Sequence, residues 1–256
     1  MNTQINTQLR ELRLPGIVHA LQTQLEQPGT YEALPFMERL SLLLDQECLD
    51  REQHKQARLI RQAKFKLKAS VQDIDYQHPR NITQSQIARL AQGGWISHAQ
   101  NLLITGPCGS GKTYLACALG HSACLQGLSA RYYRLSRLLL ELTQAKADGT
   151  YHKHLIKLSK IDLLIIDDWG LETLKPAQRN DLLEIMDDRH GHTSTAVISQ
   201  LPEPTNSMCP PRDHAARSRV TRCSVVSANS ACVSSCSSVC RNVMREWRMN
   251  HHHSKA

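Results

Sequence analysis

The pattern of apolar positions through the first 70 or so residues predicts helices. "IVHALQTQL" sets Ile17, Leu21 and Leu25 four apart, bracketed by Pro15-Gly16 and Pro28-Gly29. In "PFMERLSLLLDQE", Phe36, Leu40 and Leu43 form one stripe, and the helix can run on into "REQHKQARLIRQAKFKLK". There Ile60, Ala63 and Leu67 share a face, while Arg51, Lys55, Arg58, Arg61 and Lys68 fall largely opposite at about 100° per residue. "DYQHPRN", residues 75–81, reads as a linker.

From "NLLITG" the rhythm becomes strand–turn–helix. "NLLIT" predicts a strand and "TYLACALGHSACLQG" a helix closed by Gly127. "ARYYRL" predicts a second strand, after which Ser136 can cap the helix "RLLLELTQAKA". "IDLLIID" is apolar throughout, as expected of a strand buried on both faces of a parallel sheet. "PAQRNDLLEIMDDRHG", with Pro176 near its first turn, predicts a helix, and "STAVISQ" a further strand. This alternation predicts an α/β fold with a doubly wound parallel sheet. The expected organisation is a helical N-terminal domain over 1–78, an α/β core over 79–202 and an irregular tail over 203–256.

Charge sharpens that division. The net charge of +8 is concentrated in two places. Residues 51–68 carry seven Lys and Arg against one acid, and 203–256 carry eight against three, so the remainder is slightly acidic. No run of about 18 apolar residues is present. The N-terminus also lacks a basic start followed by an apolar stretch, which together favour the cytosol and no membrane. Of nine cysteines, Cys48, Cys108, Cys117 and Cys124 stand in apolar or helical contexts and are expected to be free, buried thiols.

The chemistry centres on "GPCGSGKT", which fits G-x-x-x-x-G-K-[ST] after a strand and before a helix. Such a loop, here Gly106, Pro107, Cys108, Gly109, Ser110, Gly111, Lys112 and Thr113, lets backbone N–H groups curl around phosphate oxygens at a helix start. Lys112 can set a point charge between β- and γ-phosphates, and Thr113 can offer a hydroxyl to Mg²⁺. The fold class is therefore a P-loop NTPase sheet, with ATP and Mg²⁺ as cofactors. In "LLIIDDWG" two acids end a strand at the sheet's carboxyl edge. Asp167 suits Mg²⁺, and Asp168 suits orienting or deprotonating the attacking water. Ser199 and Gln200, at the tip of the next strand, are candidates for touching the γ-phosphate or that water. The basic stripe Arg51, Lys55, Arg58, Arg61 and Lys68 can neutralise duplex phosphates without sequence preference, or it can be a solvated face. In the tail, Cys232, Cys236 and Cys240 with His251–His253 raise metal binding as an alternative.

"LRLPGIVHAL", the basic segment, "NLLITGPCGSGKTYLA", "LLIIDDWG" and "STAVISQLP" resemble the IstB family, ATP-binding helpers of bacterial insertion sequences, over about Leu9 to Pro202. That family is similar to the DnaC and DnaA branch of AAA+ ATPases. The resemblance implies an AAA+-type, homo-oligomeric ATPase that binds double-stranded DNA and helps a transposase choose or activate its target. It places Gly106, Gly109, Gly111, Lys112 and Thr113 on phosphates, Asp167 on Mg²⁺, and Asp168 where many relatives carry Glu. It also implies an interfacial arginine after "SQLP", yet from Glu203 onward there is no Leu, Ile, Phe, Tyr or Gly. That tail reads either as a shifted coding frame or as a Cys-rich appendage, and Arg212, Arg217 and Arg219 take no role. Two alternatives to the transposition helper are a DnaC-like helicase loader and a nonhydrolysing, ATP-gated DNA-binding protein.

Overall fold

The computed structural model describes residues 2–77, 82–171, 174–200 and 224–228. The chain divides into two compact units, Met1–Arg61 and Gln62–Ala256. In the first unit, α1 (Asn2–Glu11), α2 (Pro15–Glu26) and α3 (Pro28–Tyr31) precede α4 (Phe36–Ala63). Pro15 and Pro28 open α2 and α3, where a missing N–H costs nothing.

Polar contacts hold α2 against α4. An added Cβ at Gly16 would stand 2.7 Å from the Glu47 Cα, so only glycine permits this approach. The Glu47 carboxylate accepts from Gly16 N at 2.8 Å and Ile17 N at 3.3 Å, satisfying orphan amides at the start of α2. Burial alone would push the Glu47 carboxyl up, but the Arg51 guanidinium and these two amides outweigh it and hold the group below the ordinary range. Gln24 adds bonds to Arg39, both with its backbone carbonyl and with its side chain. Apolar packing is sparse: Phe36, expected on the stripe, is 74% exposed in the first turn of α4.

A helix continuing to Lys68 is expected from the sequence; α4 instead ends at Ala63, followed by Lys64 in a left-handed conformation at φ +53°. The chain is redirected because Phe65 packs on Gly120, where an added Cβ would lie 2.6 Å from the ring. Leu67 and Lys68 are exposed beyond the helix end, off the α4 face predicted for them. Residues 62–77 belong to the second unit, with a 3₁₀ turn at Val71–Asp73.

The second unit continues with α5 (Gln84–Ala91), α6 (Gly94–Ser97), β1 (Asn101–Thr105), α7 (Lys112–Leu125), β2 (Ala130–Arg134), α8 (Leu135–Ala147) and α9 (Tyr151–Ser159). Then come β3 (Leu163–Trp169), α10 (Pro176–Arg189), β4 (Ser194–Ser199) and β5 (Ser224–Ala228). Strands order as β2-β3-β4-β1-β5; the first four are parallel, and β5 runs antiparallel to β1. This is the expected α/β fold, a largely parallel sheet with flanking helices and the glycine loop between β1 and α7.

Alternation along β3 sorts the two faces. Leu164 and Ile166 pack with Leu138, Leu142, Leu158 and Leu182 under α8, α9 and α10. Ile165 faces α7, its Cδ1 2.8 Å from a Cβ built on Gly120. At the opposite end of the sheet from the strand tips, the fully buried Arg189 donates to the Leu158, Ile161 and Ser194 carbonyls and to Thr195. Burial pushes its pKa down to about 10, so it stays charged at neutral pH.

Two further expectations change. Ser136 does not cap α8, because that helix starts directly after β2 with the buried Leu135, and the cap position falls to Arg134. Cys117 and Cys124 are free and buried as expected, but Cys48 and Cys108 are exposed, the first on α4 and the second in the glycine loop. Of the tail expected to be irregular, the structure describes Ser224–Ala228 alone, and these residues form β5.

Candidate nucleotide site

Because the four strands are parallel, their carboxyl ends bring Gly106, Arg134, Asp167, Asp168 and Gln200 to one edge. Gly109 and Gly111 in the loop between β1 and α7 adopt φ +81° and +85°. At Gly109 an added Cβ would meet nothing within 4 Å, so conformation rather than space demands glycine. Pro107 and Cys108 form the exposed crest, while Gly106 and Ser110 lie buried.

Lys112, the first residue of α7, is 6% exposed, and its Nζ donates to the Gly106 and Pro107 carbonyls at 2.7 Å each. Carbonyl oxygens orient an ammonium without neutralising it. The Ser110 hydroxyl is buried with no hydrogen-bond partner, a state that costs about 1–3 kcal/mol in an isolated protein. An unneutralised ammonium, an orphan hydroxyl and the amino end of a 14-residue helix together form a donor set that fits a phosphate chain.

Asp167 closes the site from β3. It shares the α7 face with Ile165, and its Oδ2 accepts from Thr113 Oγ1 at 2.8 Å and from the Tyr132 phenol at 2.7 Å. A threonine hydroxyl beside a carboxylate is an all-oxygen set of the kind Mg²⁺ takes together with phosphates and water. Asp168 stands differently. Its backbone lies at φ +63°, and β3 loses its even register against β4 between Ile166 and Trp169. This bulge re-aims Asp168. Its amide donates to Asp167 Oδ1 at 2.8 Å, and its carboxylate pairs with Arg134 Nε at 3.1 Å.

Ser199 donates to the Trp169 carbonyl at 3.0 Å, bracing the tip of β3 against β4. Gln200 follows it, half-buried, just past the Thr105–Ser199 register pair. Arg51, Lys55, Arg58 and Arg61 are exposed on α4, with Lys68 exposed past its end. Arg51 is tied to Glu47 at 2.7 Å. Cys232, Cys236, Cys240 and His251–His253, like Arg212, Arg217 and Arg219, lie outside the described residues.

Sequence reasoning missed Tyr132 and Arg134. The alternation in "ARYYRL" puts them on one side of β2, but which acids they reach depends on the β2–β3 register, Tyr132 opposite Ile165 and Arg134 opposite Asp167.

The profile of the family described as "IstB-like ATP binding protein" matches residues 7–207. The chain belongs to the IstB-like family. Among its relatives, the insertion sequence IS1162 protein of Pseudomonas fluorescens, named as ATP-binding, is 48% identical over 202 residues, 78% of this chain and 87% of the relative. The y4pL insertion-sequence protein of Sinorhizobium fredii, also named as ATP-binding, is 42% identical over 194 residues, 76% of this chain and 79% of the relative. The solved structure of the DnaC helicase loader is 22% identical with a TM-score of 0.45, covering 54% of this chain and 80% of that one. Among the described residues of this IstB-like chain, no helix is long and apolar enough to cross a membrane.

Proposed function

We propose that this IstB-like protein is a Mg²⁺-dependent ATPase that binds duplex DNA through α4 and assists a transposase at its target, with hydrolysis as the switch and a homo-oligomer as the working form. The observation that carries the reading is the Thr113–Asp167 bond, which joins the phosphate-binding loop to the acid strand beside the orphan Ser110 hydroxyl. Gly106, Gly109, Gly111 and the start of α7 present amides to the phosphates, and Lys112 exchanges its two carbonyl partners for phosphate oxygens. Mg²⁺, when bound beside Thr113 and Asp167, supplies charge neutralisation between phosphates. Asp168 receives the proton of the attacking water, and Gln200 orients that water.

A nonhydrolysing, ATP-gated DNA binder is the second reading. It is favoured by the ion pair that occupies Asp168 with Arg134. Phosphate release at saturating DNA separates the two. The primary test is a titration of ATP into the full chain. Lys112→Ala is expected to weaken binding at least tenfold, and unchanged affinity would sink the nucleotide site.

A further inference from the structure

Tyr132 is 8% exposed and reaches the nucleotide site from β2, a strand outside both sequence motifs. It lies opposite Ile165 in the parallel register, two positions before Asp167 along β3, so its ring runs toward the strand tips and sets the phenol on Asp167. Asp167 is itself only 2% exposed. Its Oδ2 is shared by Tyr132 and Thr113, and its Oδ1 takes the Asp168 amide. Both oxygens are thus tethered, from three different elements. A carboxylate fixed in this way meets an incoming cation without first giving up rotational freedom, and partners behind metal ligands typically alter metal affinity about 10–100-fold.

We propose that Tyr132 is a positioning residue for Mg²⁺–nucleotide binding, holding the Asp167 carboxylate in the orientation that presents it with Thr113. The inference rests on the proposed role of Asp167 toward Mg²⁺. A merely structural phenol would lower stability when removed but would leave the metal dependence of binding unmoved.

The test uses the full chain and a fluorescent ATP analogue, titrated first in EDTA and then with rising Mg²⁺. Tyr132→Phe should bind the analogue in EDTA within about twofold of the unaltered protein, yet need about tenfold more Mg²⁺ to reach half of the metal-dependent signal. Replacing Tyr132 with p-aminophenylalanine, which keeps a donor at that point, should return the midpoint to within about threefold. That variant also carries the test should the Phe variant melt too low to assay: a midpoint raised about tenfold despite its donor would overturn the proposal. So would an unmoved midpoint in Tyr132→Phe while Asp167→Asn shifts it, a result that leaves the ATPase reading standing. If Asp167→Asn shifts nothing either, the metal role of Asp167 falls and this inference falls with it. Absence of analogue binding by the unaltered protein would remove the nucleotide site itself.

Discussion

Asp168 holds a φ of +63° that costs a non-glycine residue about 1–2 kcal/mol. Such a cost persists where surrounding structure over-determines it, and here the bulge in β3, the bond to Asp167 Oδ1 and the Arg134 pair all do so. Asn tolerates this conformation about as well as Asp but cannot take a proton. Asp168→Asn should therefore leave the melting temperature and nucleotide affinity nearly unchanged while lowering phosphate release about 100-fold or more. Parallel binding and release assays check this; a variant that still releases phosphate at the original rate would remove Asp168 as the base. The identities of the acids were legible in "LLIIDDWG", because an apolar run ending in acids places them at a sheet edge. The sequence also divided their roles, Asp167 for Mg²⁺ and Asp168 for water, but not the left-handed backbone and bulge at Asp168, which depend on pairing with β4.

At the level of elements, α4 carries an inward acid and an exposed basic stripe on one helix. Glu47 is turned inward to α2, and Arg51, one turn on, is bound to it, so this arginine enters any phosphate interface already half-neutralised. Lys55, Arg58 and Arg61 are exposed cations further along α4. In a salt titration with duplex DNA, Arg58→Ala combined with Arg61→Ala should reduce the slope of log K against log salt by about 2. Arg51→Ala should reduce it by less than 1. Equal effects from the two changes would place the interface around Arg51 instead, and no effect from either would return α4 to a solvated face. The helical period revealed α4 and its basic stripe, but not the turn at Lys64, which follows from Phe65 seating on Gly120 about 55 residues away in sequence. Helix α9 went unread although Tyr151, Leu155 and Leu158 have helical spacing, because basic residues and histidines between them dilute the pattern.

For the molecule as a whole, every residue proposed for phosphate, Mg²⁺ or water precedes Leu201, while Ser224–Ala228 supply the outer partner of β1 through five register pairs. Strand β1 leads straight into the glycine loop, so its outer edge lies beside the site without contributing a side chain to it. The two roles are separable in a chain ending at Pro202. Nucleotide affinity should stay within about twofold, because the loop, α7, β3 and β4 keep their contacts. The unpaired edge of β1 should instead expose a row of backbone donors and acceptors, which in sheet proteins recruits other strands. Light scattering across a concentration series should accordingly show stronger self-association than the full chain. Loss of nucleotide binding in the shortened chain would assign the tail a part in the site, and unchanged scattering would mean that β5 is not what protects that edge.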